Sequence, residues 1–393
     1  MGSNIGFAAR YFTTISASAG NPIDDASAGV THEAVYIPTN SFAATRDMRR
    51  HCLLVIATLA TVPLSTGAQE SQGRPSGFFD RIEPVRFTLT ADIRQLRADT
   101  ADEAPTRDAS VSFRDSTGKT VVIPVKVKTH GRWRLTHCEF PPLSITFPDS
   151  LTSGTPFAGL PKARLTSYCK DHPAYEQYII QELQLYRIYQ LLTPYGHTPR
   201  ALQVTYVDAP SGKTRTTRHA FFIDDRDNVA RRHNAALLKA KGATGSDLEP
   251  YHRTLIGVFE YMIGNTDFLV SELHNAFLLG TPSGETIPVP YDFDYSGAVN
   301  TAYATPNPVL PIKTVRQRLF RGFCSDAEQF TKVFSLLNEK KAAIYSLYDD
   351  AIGKLLRLDV ANSTRQYYDE FYRIINTPEL ARAEILGRCL RRE

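Results

Sequence analysis

Residues 264–297 place Asp267, His274, Asn275, Asp292 and Asp294 around two short apolar runs, 276–279 and 287–290. A Gly/Pro/Ser-rich stretch joins the runs and reads as a hairpin turn. The order is acid, imidazole, amide, hairpin, then two acids, which brings oxygen ligands and one candidate base to the same end of a small hairpin. Carboxylate and amide oxygens suit Mg²⁺ or Mn²⁺, hard ions that bridge phosphate oxygens. Phosphoryl transfer uses such metals together with a carboxylate that orients or deprotonates the attacking group. A lone Asp-x-Asp is often no more than a turn or a cap. The ordered set is the stronger signal.

The stretch resembles the catalytic segment of the spore-coat protein H (CotH) kinase-like family. There an Asp precedes an Asn within one loop, and a hairpin leads to a Pro-aromatic-Asp-x-Asp motif. Here those elements are Asp267, Asn275 and Pro290-Tyr291-Asp292-Phe293-Asp294. The resemblance implies a two-lobed, protein-kinase-like α+β fold, with a strand-rich N-terminal lobe over 78–224 and a mainly helical catalytic lobe over 225–393. It implies ATP as the nucleotide, with Mg²⁺ or Mn²⁺. Asp267 would be the catalytic base, Asn275 a metal ligand, and Asp292 and Asp294 the second metal position. The loop departs from ordinary protein kinases in that Asp267 and Asn275 stand eight apart rather than five, and no His-Arg-Asp triplet is present.

By the same resemblance, basic residues around His130-Gly131-Arg132-Trp133-Arg134 would contact nucleotide phosphates. Lys126, Lys128, Arg132, Arg134 and Lys162 are the candidates, unranked. The alternative for the strand lysines is a plain solvent face. No G-x-G-x-x-G phosphate loop occurs. Glu182 lies in the clearest helix of the chain, 175–192, and is the candidate partner of the phosphate-binding cation. Its alternative is a solvated helix carboxylate.

The elements that would carry these residues are legible by period. Residues 85–93, 109–114, 120–129, 143–147, 202–207 and 214–223 alternate apolar and polar as half-buried strands do, and the first four read as an antiparallel set. Apolar residues recur at three- and four-residue steps through 175–192, which Pro194 and Gly196 stop. Residues 251–263 read as a buried helix delivering the active loop. Helical period returns at 327–338, 340–356, 360–375 and 379–390. Arg316, Arg318 and Arg321 form a basic group suited either to an acidic substrate or to a surface helix.

Residues 1–47 lack periodicity and read as an upstream extension. Met48-Arg49-Arg50-His51, the apolar run 52–62 and the small residues before Gln69 form the three-part pattern of a signal peptide over 48–68. A flexible tail at 69–77 follows. Export to the periplasm or the extracellular space is therefore expected, with no transmembrane segment after cleavage. Cleavage would leave Cys138, Cys169, Cys324 and Cys389, an even number that allows two disulfides. Of the three pairings, Cys138–Cys169 and Cys324–Cys389 join neighbours within each half; four buried thiols are the alternative. A net charge of +4, with basic residues dispersed, gives no case for nucleic acid as a partner.

The functional expectation is a metal-dependent phosphotransferase moving the γ-phosphate of ATP to a hydroxyl acceptor, with a protein as acceptor substrate. The alternatives are an exported pseudokinase that binds or scaffolds without turnover, and a metal-dependent hydrolase using the same carboxylates. Neither a G-x-S-x-G elbow nor an H-E-x-x-H pair is present.

Overall fold

Apolar side chains at every second position put one face of each N-terminal strand inside. In the computed structural model, which describes residues 77–391 except Asp102 and Arg132, those strands wrap around their buried face. They are β1 (Val85–Ala91), β2 (Arg107–Arg114), β3 (Thr120–Thr129), β4 (Leu143–Thr146), β5 (Lys162–Thr166), β6 (Pro199–Asp208) and β7 (Thr214–Ile223). They close into a barrel in the order β1-β2-β3-β4-β5-β7-β6. The β1–β6 pair, Val85 against Leu202 through Ala91 against Asp208, is parallel, while the other neighbours run antiparallel. Phe87, Phe113, Phe147, Phe157 and Phe222 pack ring against ring inside it. Fully burying each such ring is worth about 1.5–3 kcal/mol.

This closed, mixed barrel overturns the expected two-lobed, kinase-like α+β fold with its antiparallel N-terminal sheet. Period-two alternation is the same for an open sheet and a closed one, and a parallel partner more than a hundred residues away leaves no local trace.

Helices α1 (Ile93–Ala98), α2 (Trp133–His137) and α3 (Asp149–Thr152) are short links between the barrel strands. The long α4 (Pro173–Leu192) begins at a His172 cap with Pro173 in its first turn. After it come α5 (Arg226–Arg232), α6 (Pro250–Ile263), α7 (Ala327–Ser346), α8 (Leu358–Ile375) and α9 (Pro378–Glu384). The expected helices at 327–338 and 340–356 are one helix, α7, followed by turns, because nothing at Glu339 breaks the period. A second core joins α4, α6, α7 and α8 through Ile180, Leu183, Phe259, Met262, Val333 and Phe371. Glutamines of α4 bind across it: Gln184 donates to the Leu347 carbonyl at 2.6 Å and Gln181 to the Val299 carbonyl at 3.3 Å.

A separate three-stranded antiparallel sheet is made by β8 (Ala236–Leu238), β9 (Ala276–Gly280) and β10 (Thr286–Pro290), with β9 in the middle. Two disulfides form, Cys138–Cys169 and Cys324–Cys389, in the pairing favoured from the sequence. All described residues belong to one unit, Ala68–Glu393. The extension at 1–47, the signal peptide at 48–68 and, apart from Gly77, the tail at 69–77 lie outside the described residues. No helix among the described residues is long and apolar enough to cross a membrane.

Candidate functional site

Gly264 ends α6 in the left-handed conformation, at φ +69°. A Cβ there would stand 1.9 Å from the Tyr367 hydroxyl, so only glycine fits. Its carbonyl accepts from the Gly297 amide at 3.1 Å, and the Ile263 carbonyl accepts from Ala298 at 2.8 Å. The segment between these two glycines is thus a loop closed at its base. Arg316 donates to the Gly297 carbonyl, Arg318 to the Met262 and Tyr367 carbonyls, and Arg321 to the Thr266 carbonyl. Arg316 and Arg321 thus brace the loop backbone, and Arg318 ties the end of α6 to α8.

Inside the loop, the Asn265 side chain accepts from the Asp267 amide at 2.9 Å. Asp267 is 44 % exposed and one of its oxygens lies 3.0 Å from His274 Nε2. The Asn275 side-chain amide donates to the Asp267 carbonyl at 2.7 Å and to its other carboxylate oxygen at 3.1 Å. This leaves the amide oxygen of Asn275 as its donor for a cation. The hydrogen bond that Asp267 accepts from the His274 ring raises the His274 pKa above its ordinary value.

The hairpin register pairs Ala276 with Pro290, so Asn275 and Tyr291-Asp292 leave it side by side. The Tyr291 amide donates to the Asn275 carbonyl at 3.0 Å. Leu273, Asn275 and Asp292 all have positive φ, between 50° and 65°. Such backbone costs about 1–3 kcal/mol per residue and persists only where the surroundings impose it. Asp292 is held by its amide, which donates to the Tyr186 hydroxyl of α4 at 2.9 Å.

Asp294 is buried. Tyr303 donates to it at 2.9 Å, and Arg134 Nε stands 3.6 Å away, an ion pair too long for a hydrogen bond. Glu182, at 2 % exposure, faces the same group, and its Oε2 has no hydrogen-bond partner among the described residues. Burial, and then the charge of Asp294, drive the Glu182 carboxyl well above the usual carboxylate range, against the pull of Arg134. The same two causes raise Asp292. Burial opposes the charge on Arg134, yet Tyr303, Asp294, Glu182 and Asp292 together lift its pKa above the ordinary guanidinium value. Three carboxyls therefore share one ion-paired cation, an excess of acid in a low-dielectric setting.

The expected site residues divide into two groups. Asp267, Asn275, Asp292, Asp294 and Glu182 come together, and Glu182 is buried and forms no ion pair with a lysine among the described residues. Lys126 is exposed on β3 and pairs with Asp108 at 2.5 Å. Register sets Lys126 opposite Thr146, which is opposite Lys162, so both lysines lie on the outside of the barrel. Lys128 is likewise on the exposed face of β3. Arg132 lies outside the described residues. Arg134 is the basic candidate at the acids. It sits on α2, and Cys138, at the end of that helix, is bonded to Cys169 just after β5. Tyr186 and Tyr303 were not anticipated. Tyr303 had only its place in the proline-rich stretch after the motif as a signal, and Trp133 and Tyr295 pack beside it at 5.0 and 5.9 Å.

Among the described residues no three His, Cys, Asp or Glu side chains are grouped so as to hold a metal ion by themselves. Mg²⁺ rarely needs such a cage: one or two carboxylates suffice, with water and substrate phosphates completing its shell. Asp292, Asp294 and the Asn275 oxygen would be the donors for such an ion, and Glu182 Oε2 beside them is buried without a hydrogen-bond partner among the described residues.

No family model matches the chain, and no curated protein does.

Proposed function

We propose that the chain is a metal-dependent phosphotransferase that moves the γ-phosphate of ATP to a hydroxyl acceptor. The observation that carries this reading is the excess of carboxyls, Glu182, Asp292 and Asp294 around Arg134, beside a half-exposed Asp267 held by His274 and Asn275. Asp292, Asp294 and Asn275 would hold Mg²⁺ or Mn²⁺, which supplies neutralisation of phosphate charge. Asp267 would orient the acceptor hydroxyl and take its proton. His274 and Asn275, one on each carboxylate oxygen, fix its direction. Arg134 would face the transferring phosphate, since it is the buried cation of the group. The two disulfides support an exported protein, and with it an acceptor on an exported or surface protein.

A second reading, an exported binding or scaffold protein without turnover, is favoured by the engagement of the acids in this state. Both Asp267 oxygens have partners, and Asp294 is met by Tyr303 and Arg134. Thermal melting with ATP, with Mn²⁺ and with both separates the readings. The phosphotransferase reading expects a rise in Tm with ATP plus Mn²⁺ that exceeds either alone and is lost in Asp292→Asn. No shift in any condition favours the second. Phosphate release that does not depend on an acceptor would instead indicate a hydrolase.

A further inference from the structure

The opposite end of the barrel holds a feature that the acid site does not use. β3 runs from the turn at 115–118 to α2 and Arg134, so the turn end of β3 is remote from the acids. At that end, where β1 and β6 begin and β2 finishes, lies a cavity of about 400 Å³. Arg200, near the start of β6, lines it and is only 5 % exposed. Its Nε and Nη1 have no hydrogen-bond partner among the described residues. Its guanidinium stands 5.8 Å from the Phe78 ring, and the charge of Glu83 reaches it without forming an ion pair among the described residues. A buried guanidinium left this way is costly, because it has given up water and received no anion in return.

Its neighbours narrow the ligand class. Arg81 and Arg114 line the same cavity. Among the described residues of the lining, the one acid, Asp115, is already engaged: its Oδ1 accepts from the Thr117 amide and hydroxyl and from the Lys119 amide. Phe78 and Phe113 supply apolar wall. A guanidinium attracts a carboxylate through charge-assisted hydrogen bonds, and the aromatic wall suits a flat apolar body. The volume falls in the range of small-molecule sites.

We propose that this cavity binds a small organic carboxylate with an apolar, ring-sized body, its carboxylate on Arg200 and its ring against Phe78 and Phe113. The proposal is independent of the phosphotransferase reading. The test is calorimetric titration of the full chain with 2-naphthoate, and with 2-naphthylmethanol as the uncharged counterpart. Two variants accompany it. Arg200→Met removes the charge, and Ala158→Trp, at an exposed lining position, fills the space. The expected result is saturable naphthoate binding, weakened at least about tenfold by Arg200→Met and abolished by Ala158→Trp, with the alcohol at least about tenfold weaker. No saturable binding to the unaltered chain, equal affinity for the alcohol, or unchanged affinity in either folded variant overturns the proposal. Should Arg200→Met fail to fold, Ala158→Trp decides alone, since its site lies outside the core.

Discussion

The amide of Asp292 donates to the hydroxyl of Tyr186 at 2.9 Å, across 106 residues of chain. One hydrogen bond thus ties the strained backbone of the acid motif to the long helix α4, which also carries Glu182. Tyr186→Phe keeps the ring in its core packing and removes the acceptor. It leaves a part-buried amide unsatisfied, at a cost of about 1–3 kcal/mol. The expected outcome is a lower urea midpoint together with a weaker Tm response to ATP plus Mn²⁺. A melting curve and a metal response both equal to those of the unaltered protein would show that α4 does not hold the motif.

Gly264→Ala tests the base of the loop. The left-handed backbone alone costs a non-glycine residue about 1–2 kcal/mol, and the Tyr367 hydroxyl lies where the methyl would go. Gly264→Ala combined with Tyr367→Phe should recover part of the loss, because the second change removes the clashing oxygen. Denaturation of the single and double variants measures this, and equal stabilities for the two would remove the steric explanation.

The two disulfides should differ in consequence. Each closes a loop, with cysteine separations of 31 and 65 residues, and each is expected to contribute about 2–4 kcal/mol. Only Cys138–Cys169 fastens the helix that carries Arg134. Replacing Cys324 and Cys389 by serine should lower Tm while leaving the response to ATP plus Mn²⁺. Replacing Cys138 and Cys169 should lower both. Differential scanning fluorimetry of the two double variants is sufficient to see the contrast.

Acid should weaken the helix that delivers the loop. Glu249 caps α6, accepting from the Tyr251 and His252 amides at 3.0 and 2.7 Å. Burial opposes its ionisation, but the His252 and Tyr251 amides and then the His252 ring outweigh it, and its pKa lies below the ordinary 4.5. A carboxylate depressed in the folded state binds its proton more readily when unfolded. Its stabilisation is therefore complete above about pH 4.5 and is lost as the pH falls through the lower, folded value. Urea midpoints between pH 6 and pH 3 should fall less steeply for Glu249→Gln than for the unaltered protein; parallel curves would remove the cap from the account.

What could be read in the sequence was local. The hairpin and the order of its flanking acids placed Asn275 beside Asp292, and the register of β9 and β10 does so. The period of α4 was plain, as were the strands, because each depends on neighbours two to four residues apart. The barrel was not legible, since its closure rests on β1 lying parallel to β6. Nor was the environment of Glu182: the same helical position reads as solvated or buried until the helix packed on it is known. Arg134 stood among five basic candidates because what selects it, its approach to Asp294, spans 160 residues. The exposed lysines of β3 and β5 had the same charge without the position.

The most direct measurement is transfer from γ-labelled ATP. The purified protein, with its disulfides formed, is incubated with labelled ATP and Mn²⁺ or Mg²⁺, alongside Asp267→Ala and Asp294→Ala. A phosphotransferase should show metal-dependent labelling of the protein itself or of a protein acceptor, lost in both variants while each still melts cooperatively. Absence of labelling in the unaltered protein under every metal, or labelling that persists in both variants, would contradict that reading.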